Sequence, residues 1–167
     1  MTLRLILTRH AKSAWDNPAL DDYDRILNKR GRASASAMGE WMVAQGYVPD
    51  QVLCSGAART QETWARIAAQ FEVMPDIQFL PSLYLAEPEI MLEELRQASG
   101  HTVMMIAHNP GSAQLADGLA MSPPPDDRFH RYPTCATTIL DFDAEDWRDV
   151  GWSGGYVTDF MLPRDLL

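Results

Sequence analysis

Short apolar runs alternate with amphipathic stretches along this chain, and that alternation restricts its fold more than any other feature. Leu3–Thr8, Gln51–Cys54 and Thr102–Ala107 read as buried strands, with Ile77–Leu80 a weaker candidate. Between them Trp64, Ile67, Ala68 and Phe71 recur at helical spacing. Met38, Trp41 and Met42 mark an earlier helix over Asn28–Gln45, closed by Gly46, and Ile90, Met91 and Leu95 mark a third. Pro110 suits the first position of a fourth helix running to about Ala120. Such alternation builds βαβ units, so the expected fold is α/β: a three-layer α/β/α sandwich around a mostly parallel sheet. After a proline-rich loop at Met121–Asp127, Ala136–Phe142 and Tyr156–Met161 read as an antiparallel pair joined by the acidic turn Asp143–Gly155. No repeat or linker divides the 167 residues, so 1–167 reads as one domain.

Charge narrows the function classes. The net charge of −9 disfavours nucleic acid and anionic membrane as partners. No apolar run reaches the ~18 residues of a membrane span, and the opening stretch ends too soon, at Arg9 and His10, for a signal peptide. The expected location is cytoplasmic, with Cys54 and Cys135 as reduced, buried thiols. Yet the first 32 residues hold seven of the 14 basic residues against four acids. A basic opening on an acidic body suits a small anion site.

The residues just past each strand locate that site. Leu3–Thr8 runs into Arg9-His10, Gln51–Cys54 is succeeded within five residues by Arg59, and Thr102–Ala107 runs into His108-Asn109-Pro110-Gly111. In a parallel sheet these carboxyl ends share one edge, where ligands bind. Two guanidiniums, two imidazoles and a helix N-terminus there predict a pocket for a dianion such as phosphate. The three strand ends carry no carboxylate, so no metal or other cofactor is expected. Cys54 and Arg59 imitate a cysteine phosphatase loop, but only four residues separate them, and a thiol ending an apolar run stays protonated.

Leu7-Thr8-Arg9-His10-Ala11-Lys12-Ser13 resembles the histidine phosphatase, or phosphoglycerate mutase-like, superfamily, with Ala11 where the family signature has Gly. Asp24-Arg25-Ile26-Leu27-Asn28-Lys29-Arg30-Gly31 is similar to its SixA branch of phosphohistidine phosphatases. Ser55–Thr63 and Ala107–Gly111 match the segments of the second arginine and second histidine, and Leu83–Ala86, Tyr132–Thr134 and Phe160–Arg164 fit more loosely. The resemblance implies His10 as nucleophile, with Arg9, Arg59 and His108 holding the phosphoryl oxygens and Ser13 as a further phosphate donor. It implies hydrolysis through a phosphohistidine, with a phosphohistidine protein as the favoured partner. The alternatives are a small phosphomonoester, such as a sugar phosphate or nucleotide, and a non-catalytic phosphate-binding role. The family's glutamate acid has no clear counterpart; Ser82 stands in its place, and Glu87 is the nearest candidate general acid. Asp16 or Asn17 stands where the family often has an asparagine near the phosphate; Lys12 would add only field. His101 and His130 belong to no motif and read as surface or loop residues.

Overall fold

A computed structural model describes residues 2–167 of the chain. Strand β1 (Thr2–Arg9) sends alternate side chains to opposite faces, and both faces are apolar, with Leu5 and Leu7 on one and Ile6 on the other. A strand buried on both sides requires cover on both sides. The sheet that surrounds it comprises β2 (Gln51–Ser55), β3 (Asp76–Leu80), β4 (Thr102–Ala107), β5 (Thr137–Asp143) and β6 (Gly155–Met161), in the order β3-β2-β4-β1-β5-β6. The first four strands of that order run parallel; β5 is antiparallel to β1, and β6 to β5.

Helices α1 (Lys29–Gln45) and α2 (Ala58–Ala68) cover the face carrying Ile6, Val52, Met104 and Ile106. Helices α3 (Pro88–Arg96), α4 (Gly111–Leu119) and α5 (Arg128–Arg131) cover the other, where Leu5, Leu7, Leu53 and Met105 lie. The three layers expected from the alternation are present. β1 and β4 are neighbours in register as far as Arg9 and Ala107. β1 feeds α1 on one face, while β4 feeds α4 on the other. Their connections therefore diverge and leave a crevice between the two strand ends, the topological switch point of an α/β sheet.

Boundaries differ from the expectation by a residue where a cap intervenes. Asn28 lies outside α1 and caps it, its side chain accepting the Gly31 N–H at 2.8 Å; Gly46 closes the helix at φ 79°. Pro110 likewise precedes α4. Two features give no periodic signal in the sequence. Four-residue α5 is too short for one, and His130 sits exposed on it, Nδ1 3.4 Å from Asp117. Trp147, in the acidic turn, is buried against Phe142 and donates its indole N–H to the Gly100 carbonyl at 2.7 Å.

The start of α1 lies almost on the segment after β1. A Cβ placed on Gly31 would fall 2.0 Å from the Lys12 carbonyl oxygen, a backbone atom that cannot swing aside. Gly31→Ala should cost about 1–3 kcal/mol, as overpacking does, and lower the thermal midpoint by several degrees; an unchanged midpoint by calorimetry would show that α1 is free to move outward.

Candidate active site

The crevice between β1 and β4 opens into a cleft of about 240 Å³, lined by Arg9, His10, Ser13, Arg25, Arg59 and His108 among others. His10 stands at the end of the sheet's interior strand and is fixed from three sides. Its N–H donates to the Ala107 carbonyl at 3.0 Å, and its carbonyl accepts from Cys135 N at 2.9 Å. Its ring Nδ1 lies 2.7 Å from the Ala11 carbonyl, which can only accept, so Nδ1 carries the hydrogen. The lone pair is thereby left on Nε2. Ala11 is held in turn by Thr63 of α2, whose Oγ1 accepts the Ala11 N–H at 2.9 Å.

His108 comes directly after β4 and lies with its ring centroid 5.4 Å from that of His10. Its Nε2 is 2.8 Å from Ser55 Oγ at the end of β2, and the Tyr84 ring meets it edge-on. Arg59, in the first turn of α2, is 3% exposed. It donates through Nη1 to the Asp22 carbonyl at 2.6 Å and through Nη2 to Asp22 Oδ2 at 3.0 Å. Tyr84 also donates to Oδ2, and Arg25 Nε to Oδ1 at 3.1 Å. Arg9 donates to the Tyr132 carbonyl at 3.2 Å. Tyr132 adopts φ 48°, a left-handed conformation rare for a bulky residue, and Leu85 of the cleft lining adopts φ 50°. Such strain collects where function fixes the backbone.

The cleft is short of counter-charge. Arg9 Nε, Arg59 Nε and His108 Nδ1 are buried without a protein partner. A buried donor left unpaired costs about 1–3 kcal/mol, so the two guanidinium Nε–H groups are a strain that the fold carries beside this cleft. Burial, then the positive charges of Arg9, Arg59 and Arg25, push the His10 imidazolium down to about 3, although the Ala11 carbonyl works the other way. Burial and the neighbouring His10 and Arg59 bring His108 to about 3 as well. Both rings are neutral at physiological pH. Asp22 is held down to about 2, chiefly by the Tyr84 hydroxyl and then by Arg59, so it is an anion and no proton donor.

The four groups read from the three strand ends, Arg9, His10, Arg59 and His108, therefore meet in one cleft. Ser13 joins them, with its hydroxyl accepting from Arg25 Nη1 at 2.8 Å. Lys12 lines the same cleft from an exposed position. Glu87 is exposed at the start of α3, outside the lining residues. Asp16 and Asn17 border a separate hollow with Leu20 and Ile26. Cys54 lies in the core among the α1–α2 residues with no exposure, and burial pushes its thiol far up. Sequence reasoning misses Arg25, Asp22 and Ser55 as members of the site. Asp22 and Arg25 lie in or beside a single 3-10 turn, where no strand end points to them. Ser55 carries a faint signal as the last residue of β2. Among the described residues no three His, Cys, Asp or Glu side chains gather as metal ligands.

Two neutral buried histidines make stability depend on pH in one direction. Unfolded, each titrates near 6.5; folded, near 3. Their contribution is complete above pH 6.5 and is lost as pH falls toward 3, because only the unfolded chain takes up those protons. Between pH 7 and 4.5 the wild-type protein should lose more of its urea stability than His10→Gln/His108→Gln, by an amount on the order of a few kcal/mol. Equal losses would mean that the rings are charged in the folded state.

Residues 5–83 match the family model described as histidine phosphatase superfamily (branch 1). An uncharacterized protein of Mycobacterium tuberculosis is 31% identical over 93% of this chain and 99% of its own. A solved structure assigned as the phosphohistidine phosphatase SixA of Agrobacterium tumefaciens is 29% identical, covers 96% of this chain and 98% of its own, and superposes with a TM-score of 0.80. The protein histidine phosphatase SixA complexed with tungstate, at 20% identity over 99% of this chain and all of its own, has the same fold with a TM-score of 0.81. With two arginines and two histidines brought to the switch point of the same fold, the chain belongs to the histidine phosphatase superfamily and is a phosphatase of that superfamily.

Proposed function

We propose that the protein removes phosphoryl groups without a metal, through a phosphohistidine on His10, and that protein-borne phosphohistidine is its substrate class. The bond from His10 Nδ1 to the Ala11 carbonyl carries this reading, because it leaves a neutral Nε2 as the nucleophile beside three guanidiniums. Nε2 attacks phosphorus in line, and the bond to the leaving nitrogen breaks with its electron pair. That nitrogen takes a proton from water. A second water then attacks the His10 phosphoramidate, releasing phosphate and restoring the neutral ring. Arg9, Arg59 and His108 meet the charge that grows on the equatorial oxygens, and Ser13 and Arg25 extend that ring of donors.

The leaving group narrows the substrate. None of the residues lining the cleft is an acid, and Asp22, which pairs with Arg59, is ionised. A sugar alkoxide needs a proton as it leaves; an imidazole needs less help. The mouth is open and partly apolar: Trp15, stacked on Arg25 at 3.5 Å, and Leu85 are both well exposed there. Such a rim suits contact with a macromolecule. Cys54 and Cys135 are free thiols, in keeping with a cytoplasmic setting.

A panel of phosphohistidine protein, sugar phosphates, nucleotides and p-nitrophenyl phosphate, assayed in EDTA, tests the reading. Turnover should persist in EDTA and be fastest on phosphohistidine protein; preference for a sugar phosphate or nucleotide would make this a small-molecule phosphomonoesterase. Acid-labile, base-stable label should appear on the wild-type enzyme and vanish in His10→Ala, which should still bind vanadate. Binding without turnover by the wild type would leave only a phosphate-binding role. Arg59→Lys should lower kcat by roughly 10²–10³-fold, the usual cost of one donor to transition-state charge. The planar fork that holds Asp22 through both Nη atoms while lining the cleft cannot be copied by an ammonium. A change under about threefold in both kcat and KM would remove Arg59 from the chemistry.

A further inference from the structure

A second groove begins where the cleft ends. Lys12 and Thr134 line both. From there the groove, of about 590 Å³, runs between the start of α1, α5 and the last turn of the chain. Its lining holds five cations, Lys12, Arg30, Arg128, Arg131 and Arg164, and no Asp or Glu. Its apolar floor includes Pro133, Leu162 and Pro163. Arg128 is already paired, with Asp126 at 2.8 Å and Asp165 at 2.9 Å. Among the described residues Lys12, Arg30, Arg131 and Arg164 make no ion pair.

That concentration runs against the rest of the molecule. A chain of net charge −9 repels acidic partners over most of its surface. Here it gathers five of its 14 basic residues into one groove that opens on the reaction site. The groove is far larger than a phosphate. Its volume lies in the roughly 300–1,000 Å³ range of pockets for sizeable ligands. Arg30, Arg131 and Arg164 are exposed and come from three separate elements, where a phosphate subsite would need buried, convergent donors. Spread cations over an apolar floor fit carboxylates spaced along an extended chain.

We propose that this groove binds an acidic, partly apolar segment next to the phosphorylated histidine of the protein substrate, and so selects substrates by charge. The proposal deepens the phosphatase reading and rests on it for the word substrate; the binding itself does not depend on turnover. The groove should steer acidic partners to the one face of this acidic protein where His10 is open, an effect that salt screens.

Two phosphohistidine peptides, one with Asp/Glu flanks and one with Ser/Asn flanks, supply the test, together with a fluorescein-labelled, unphosphorylated acidic peptide for anisotropy. The acidic substrate should be preferred in kcat/KM by roughly tenfold at low salt. Arg30→Glu/Arg131→Glu/Arg164→Glu should erase that preference through KM, weaken the labelled peptide to the same degree, and leave p-nitrophenyl phosphate turnover unchanged. Arg148→Glu, outside the groove, should change nothing. Equal kcat/KM for the two peptides, full preference retained by the triple variant, or a small bis-phosphate displacing the labelled peptide more tightly than the peptide binds would each overturn the proposal. Loss of all turnover on p-nitrophenyl phosphate by the wild type would instead refute the phosphatase reading, and the anisotropy arm would still decide the groove.

Discussion

Positive charge packed around an imidazole held neutral is the constraint on which this site depends. Arg9, Arg25 and Arg59 surround His10, and each makes its protonation harder. Guanidiniums so close also repel one another; Arg59 helps depress Arg9, after burial. One carboxylate relieves this. Asp22 takes a bond from Arg59, one from Arg25 and one from Tyr84. It is not among the residues lining the cleft, so part of their charge is balanced by a carboxylate set outside that lining. A carboxylate inside the cleft would occupy the place proposed for the phosphoryl group, and a fully uncompensated cluster would be costly to bury.

Backbone geometry supplies the precision that long side chains lack. His10 is tied through its own peptide to β4 and to the chain entering β5, and its ring is tied to the next carbonyl. The groups held by backbone are thus those that the proposed in-line attack needs aligned. Leu85, in the cleft lining, and Tyr132, bonded to its Arg9 and Asn109, both bear left-handed strain. Tyr132 shows what holds such strain in place: its hydroxyl donates to the Leu7 carbonyl at 2.6 Å, in the strand that carries His10, while its carbonyl accepts from Arg9 and Asn109.

Sequence reveals a residue's role where that role derives from its place on a regular element. Arg9, His10 and His108 are legible because strands have ends and parallel strands share an edge; Arg59 is legible because its helix starts at that edge. The layers are legible because Ile6 and Leu5 belong to opposite faces of one strand. Asp22 and Arg25 have no such address. They reach the site through a short 3-10 turn, whose path depends on contacts with Tyr84 and Arg59 far away in the chain. Trp147 reads from sequence only as part of an acidic turn, because local composition cannot reveal a bond to Gly100 47 residues earlier.

The contrast between Cys54 and His10 shows why position on a strand outranks chemical type. Both are potential nucleophiles at the carboxyl ends of parallel strands, and both have Arg59 nearby in sequence or space. Cys54 lies inside β2, and the strand's alternation turns it into the α1–α2 core, where burial keeps the thiol protonated. His10 stands one residue beyond β1, where alternation no longer commits the side chain to either core. Burial acts on both groups and favours the neutral form of each. For a thiol the neutral form is inert, since the thiolate is the nucleophile. For an imidazole the neutral form is the nucleophile. Burial that leaves a thiol inert inside the strand thus leaves an imidazole just past a strand's end in the form that, in the proposed mechanism, attacks phosphorus.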